Sequence, residues 1–280
     1  LQHSVRMIFF NDDKIIINTY DVSDYGFGAT TTIPENYIRI ELEPLEPGYE
    51  VVPYSERLQW LISHELVHIV INDMASSFES SMRSVTGKVN PDKLQPLTVF
   101  YSLITNHNRY TPRWYQEAIA VFIETWFSGG YGRILGNFDE MYFRSLVYDD
   151  QNFASASEIE NITSHENILL ENILYLYGTR FIAHISNKYG AQKLYEWFSL
   201  KPDEFYPGLE SKFEKIYGLD FTEAWENFIL DEKEFQNSNI SLIKKYPQTD
   251  YKRLSNHSFG WVTTVTFDSK NNSLMFGYHN

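Results

Sequence analysis

Between Leu58 and Val70, apolar side chains recur at helix spacing, and the run Trp60-Leu61-Ile62-Ser63-His64-Glu65-Leu66-Val67-His68 sets two histidines and a glutamate into it. A buried imidazole or carboxylate must be partnered, so this helix has to face something that satisfies all three groups. Residues four apart share a helix face. His64 and His68 can therefore present one nitrogen each to a single Zn²⁺ at about 2.0–2.1 Å. Glu65 lies beside that face, where its carboxylate can take a proton from a metal-bound water. The bland alternative is a core helix that happens to carry two histidines. It leaves three buried polar groups to be satisfied by other means.

Catalytic zinc takes three protein ligands and keeps a fourth position open. The third ligand should come from another element, and Pro112-Arg113-Trp114-Tyr115-Gln116-Glu117-Ala118-Ile119-Ala120-Val121-Phe122-Ile123-Glu124 offers it. Glu117 stands among small and apolar neighbours, where an acid wants a cation nearby. Glu124, two turns further on the same face, can hold a ligating histidine from behind, and Asp73, five residues after His68, competes for that role.

The rest of the chain reads as an α+β protein. Lys14–Tyr20 is β-branched and apolar, and Tyr37–Leu42 alternates with period two, so the first fifty residues are expected to form strands. The HExxH helix opens at Ser55 and runs to Asn72-Asp73. Residues 74–110 are mostly polar and read as a long irregular excursion with one short helix near Val99–Ile104. Thr111-Pro112 opens the helix that ends at Phe127, before Ser128-Gly129-Gly130. Further helices are expected from Ser164 to Lys188, over 191–199 and 209–217, and from the capping sequence Asp220-Phe221-Thr222-Glu223. Trp261–Phe267 and Ser273–Tyr278 read as a hairpin, and a boundary near 245 divides the chain into 1–245 and 246–280. Within the first part, the sheet and HExxH helix extend to about 110 and a helical subdomain follows.

Composition narrows the function further. The chain has 280 residues, a formal net charge of −14 and no cysteine. Phosphate-backbone binders draw their affinity from Lys and Arg, so this acidic chain is not expected to bind nucleic acid. Without cysteine there is no disulfide, thiolate zinc ligand or thiol nucleophile. No apolar run reaches the roughly 18 residues of a membrane span. Leu1 opens the chain without a basic region followed by an apolar one, as a mature product or a fragment would.

HELVH, followed on a separate helix by W-Y-Q-E-A-I-A and a further Glu, resembles the gluzincin zinc peptidases. Within them it is similar to the bacterial "peptidase MA" type, in which a TolB-like β-propeller follows the peptidase domain. The likeness spans roughly 25–240. It implies one zinc held by His64, His68 and Glu117, with Glu65 as general base. It also implies a tyrosine that stabilises the tetrahedral intermediate, for which Tyr175-Leu176-Tyr177-Gly178 fits the family's Y-x-x-G. Tyr175 and Tyr177 lie about 200° apart around a helix, so one of them can face the metal, and Tyr175 has the family spacing.

Some residues depart from the family. Ala118 replaces the usual glycine after the ligand, and Val121 stands where thermolysin-like members carry an acid. The amine-gripping GxMEN motif is absent. At about its place Gly26-Phe27-Gly28-Ala29-Thr30-Thr31-Thr32 reads as an edge strand that takes extended peptide by β-addition, with Gly28, Ala29 and Thr30 as its contacts. The expectation is an endopeptidase acting on peptide or protein substrates outside the cytoplasm. Residues 246–280 would begin a propeller blade or form a terminal hairpin. The alternatives are a catalytically idle scaffold on the same fold and a zinc hydrolase of a non-peptide substrate.

Overall fold

A computed structural model describes residues 6–10, 29–32, 37–41, 54–88, 95–127, 129, 137–161, 168–199, 208–247, 249–250, 252–257, 261–262 and 265–279. Three strands come first: β1 (Arg6–Phe10), β2 (Ala29–Thr32) and β3 (Tyr37–Glu41). β3 is central, parallel to β1 and antiparallel to β2. The strand expected over Lys14–Tyr20 lies outside the described residues. Helix α1 (Tyr54–Asp73) packs on β2 and β3. Ile38, wholly buried, meets Leu61 and Ile69, with Leu58, Ile62 and Leu66 around them.

α1 has a second buried stripe. His64, Val67, His68 and Ile71 follow the i, i+3, i+4, i+7 spacing of one helix face. Val67 and Ile71 join the main hydrophobic core on that side. The neighbour there is α4 (Arg113–Phe127), antiparallel to α1. Gln59 Nε2 near the start of α1 donates to the Phe127 carbonyl at the end of α4 (3.1 Å). Thr111 does not cap α4 in the expected way. The backbone N–H groups of Arg113 and Trp114 donate instead to the Glu160 carboxylate (2.9 and 3.2 Å). That acid, from α6 (Ala156–Glu160), meets the positive end of the helix dipole.

The 74–110 stretch corrects the irregular reading. It forms α2 (Ser77–Thr86), α3 (Pro96–Thr105) and a 3₁₀ turn at His107–Tyr110. Ser76 and Glu79 close a capping box at the start of α2. In α3 the usual polarity is reversed. Ser102, Thr105 and Asn106 are wholly buried, whereas Leu97, Phe100, Tyr101 and Leu103 are exposed.

The remaining helices are α5 (Asn137–Tyr148), α7 (Ile168–Tyr189), α8 (Ala191–Phe198), α9 (Leu209–Tyr217) and α10 (Phe221–Ile243). α7 packs closely along α4. Trp114, Phe181, Trp197, Phe213, Phe221, Trp225 and Phe228 form the aromatic centre of this layer. Asp220 caps α10 by accepting from Glu223 N (2.9 Å), as its sequence predicts. At the C-terminal end β4 (Trp261–Val262) pairs with β7 (Tyr278–His279), and β5 (Thr266–Asp268) pairs with β6 (Ser273–Met275). The chain is thus α+β and mostly helical, and among the described residues no helix is long and apolar enough to cross a membrane.

α7 approaches α4 closely because residue 178 is glycine. A Cβ there would fall 2.8 Å from the Ala118 Cβ and 2.9 Å from the Trp114 carbonyl oxygen. Backbone cannot yield as a side-chain tip can. Gly178→Ala should therefore push α7 off α4 and destabilise the protein by about 1–3 kcal/mol, read from urea unfolding. Wild-type stability in that variant would show that the helices can separate at no cost.

α5, α7 and α10 meet around one guanidinium. Arg180 forks onto Glu232 (Nε 2.9 Å, Nη2 3.0 Å) and touches Glu140 (2.6 Å). Gln236 Nε2 donates to both acids. Asp139 is left at 3.8 Å, and its buried Oδ1 has no hydrogen-bond partner. Burial outweighs the guanidinium and pushes the Asp139 carboxyl up to about 7, with the Glu140 charge adding to the rise. The native state then binds a proton that the unfolded chain releases between about pH 4 and 7. Asp139 should contribute stability that grows as pH falls from about 7 to about 4. Relative to Asp139→Asn, the metal-free wild type should lose on the order of 2–4 kcal/mol between pH 5 and pH 8. Parallel pH profiles in urea would refute this.

Candidate metal centre

The antiparallel packing of α1 on α4 places His64 opposite Glu124 and His68 beside Glu117. His64 Nδ1 lies 2.7 Å from Glu124 Oε2, a wholly buried carboxylate. A carboxylate only accepts, so Nδ1 carries the proton and donates it. His64 Nε2 is then left with its lone pair turned to the other side. It sits 3.2 Å from Glu117 Oε2 and 3.0 Å from His68 Nε2. His68 Nε2 is in turn 3.3 Å from Glu117 Oε2.

These three atoms form a near-equilateral triangle with edges of 3.0, 3.2 and 3.3 Å. Ligands at the corners of a tetrahedron around zinc, with bonds of 2.0–2.1 Å, stand about 3.3–3.4 Å apart. The triangle therefore has the size that a bound zinc would impose. Its chemistry points the same way. The His64 Nε2 lone pair faces a carboxylate oxygen across 3.2 Å, two acceptors that need a positive charge between them. A proton or a divalent cation supplies one. Burial raises the Glu117 carboxyl, but His68 and His64 beside it prevail and hold it well below the usual range.

Glu65 lies on the same turn of α1 and is 6% exposed. Of the two acids proposed to stand behind a histidine, Glu124 does so and Asp73 does not. The Asp73 carboxylate turns to Lys88 (3.2 Å) and Arg83 (3.9 Å), because it lies past the last histidine at the end of α1. Tyr175 lies half-buried on α7, outside the triangle. Tyr177 points elsewhere, its hydroxyl accepting from Ala154 N (3.2 Å). His184 pairs with Asp231 of α10 at 3.6 Å, an arrangement that holds helices together. Ala29 and Thr30 belong to β2, which runs beside α1. Gly28 lies outside the described residues.

Sequence reasoning passed over the groups that hold the two ligand helices in place. Asn108 Nδ2 donates to the Ile71 carbonyl near the end of α1 (2.6 Å). Arg83 donates to the carbonyls of Asn72, Asp73, Met74 and Thr105. Glu160 caps α4. A lone Asn or Arg in a polar stretch carries no local signal of such a role.

No protein-family model matches this chain, and no curated protein or solved structure matches it either. The chemistry of the site is therefore assigned on its geometry.

Groups that orient a ligating histidine from behind typically contribute about 10–100-fold to metal affinity. If the triangle holds Zn²⁺, Glu124→Ala should weaken its binding by that factor in a chelator competition, and Glu124→Gln by less, since its amide oxygen still accepts from Nδ1. Unchanged affinity in both variants would show that Glu124 does not support His64.

Proposed function

We propose that this chain is a zinc-dependent peptidase of the gluzincin type, acting as an endopeptidase. The observation that carries the reading is the convergence of His64 Nε2, His68 Nε2 and Glu117 Oε2 on one point, with Glu65 on the same helix turn as His64. His64, His68 and Glu117 would hold the ion. When bound, it would act as a Lewis acid toward a water and a substrate carbonyl.

The chain's own residues supply the rest. Glu65 takes a proton from the attacking water and passes it to the leaving amine, because a carboxylate in a shielded site can serve both ways. Tyr175 is the donor for the carbonyl oxygen as it gains negative charge, since Tyr177 is buried in the core with its hydroxyl against Ala154 N. Glu124 keeps His64 in the tautomer whose Nε2 carries the lone pair that would bind the ion. β2 pairs with β3 along one edge, and among the described residues no strand covers its other edge. An extended peptide can add there by backbone hydrogen bonds, with no acid at that place to demand a free amino terminus.

Residues 246–280 fit the start of a propeller blade. Phe267 lies opposite Leu274 in the hairpin and both are exposed, as strands meant for a larger sheet would be. An extracytoplasmic place belongs to the same reading.

Glu65→Gln separates catalysis from metal binding. The variant should retain stoichiometric zinc while its cleavage of a broad peptide library falls by at least about 10³-fold. Cleavage at the wild-type rate would remove Glu65 from the mechanism. Zinc retention in wild type with no cleavage of any peptide would favour a scaffold, and turnover of esters or other amides alone would favour a different hydrolase.

A further inference from the structure

α1 supplies two corners of the triangle and α4 the third, so the site exists only while the two helices keep their spacing. Side-chain ties flank it at both ends. Gln59 makes one at the end nearer Glu124, and it is exposed to solvent. At the other end, beside Glu117, the tie runs through a buried residue. Asn108 is 7% exposed and sits in the 3₁₀ turn before α4. Its Nδ2 donates to the Ile71 carbonyl of α1, three residues past His68 (2.6 Å).

Its own carbonyl accepts from Gln116 Nε2 (3.0 Å), Thr111 Oγ1 (2.7 Å) and Thr111 N (3.2 Å). Gln116 Nε2 also reaches Thr111 Oγ1 at 2.9 Å. Gln116 is the residue before Glu117. One buried side chain and one carbonyl thus connect the turn after His68 to the turn that carries the third corner.

We infer that Asn108 is a positioning residue for the metal site, setting the distance of Glu117 from the two histidines through Ile71 on one side and Gln116 on the other. The inference rests on the reading that the triangle binds a divalent cation. Metal affinity is steep in ligand placement, because bonds near 2 Å tolerate errors of only about 0.2 Å. The buried end of α1 magnifies the role. The Ile71 carbonyl, deprived of Asn108, would keep only the longer bond from Met74 N (3.3 Å), and the helix end would lose its tie to the turn before α4.

The test uses the full chain, stripped of metal and titrated with Zn²⁺ against a chromophoric chelator, and with Co²⁺ for its visible spectrum. Asn108→Ala should weaken zinc by about 10–100-fold, the range known for residues that orient ligands. The cobalt bands should shift from the wild-type pattern, which a purely stabilising residue would not cause while the fold persists by far-ultraviolet circular dichroism. Gln116→Ala breaks the other half of the tie and should give the same signature, and the double variant should lose less than the product of the two single losses. If Asn108→Ala does not fold, Gln116→Ala decides alone. Folded variants with wild-type zinc affinity and the wild-type cobalt spectrum would overturn the inference while leaving the metal site intact. A wild-type chain that takes up no zinc would instead overturn the metal reading, and the positioning role with it.

Discussion

Two imidazoles and two carboxylates are packed between α1 and α4, and their charge has to balance. Glu124 is wholly enclosed and accepts the hydrogen bond from the His64 Nδ1–H. That settles the tautomer of His64 and aims an electron pair at Glu117. From there the arrangement is strained in its charges unless something positive occupies the triangle. An apolar pair of helices would pack as well or better. Buried clusters of this kind are costly, and proteins tolerate them chiefly at functional sites.

The surrounding architecture follows from the need to hold two helices in fixed register. The sheet backs α1 through Ile38, Leu61 and Ile69, so α1 cannot roll away from α4. On the far side, Gly178 lets α7 lie against Trp114 and Ala118, and the aromatic layer fills the space behind. Glu117 therefore stands on a helix pressed from both sides. The clasp around Arg180 joins α5, α7 and α10 outside that layer. It has the same shortage of positive charge, three acids against one guanidinium, and there the Asp139 carboxyl is pushed up to about 7 and holds its proton more tightly.

Much of the site is legible in the sequence because helix periodicity is a local property. His64 and His68 announce a shared face by their spacing, and Glu117 stands out because its neighbours are small or apolar. Glu124 is visible by the same two-turn rule, though Asp73 fits a spacing argument nearly as well. The difference between them is three-dimensional. Asp73 sits where α1 ends and its charge is drawn to Lys88 and Arg83, whereas Glu124 lies on α4, which passes His64 antiparallel to α1. The ordinary markers also served α10, whose Asp220 cap is a three-residue pattern. The cap of α4 was not readable, since Glu160 arrives from a helix forty-odd residues later in the chain.

The stretch from 74 to 110 defeated periodicity for a reason that bears on the site. The C-terminal carbonyls of α1 end at a buried place and need donors. Arg83 meets those of Asn72, Asp73 and Met74, and Asn108 meets that of Ile71. α2 turns Arg83 inward to supply such donors, with Glu79 beside it, and α3 buries Ser102, Thr105 and Asn106 as well, of which the Thr105 hydroxyl donates to the Tyr101 carbonyl of its own helix. Their apolar residues are displaced to the outer face, so a pattern that seeks an apolar inner stripe finds none in register. Through Arg83 of α2 and Asn108 of the 3₁₀ turn, the segment that looked least structured is the one that finishes α1.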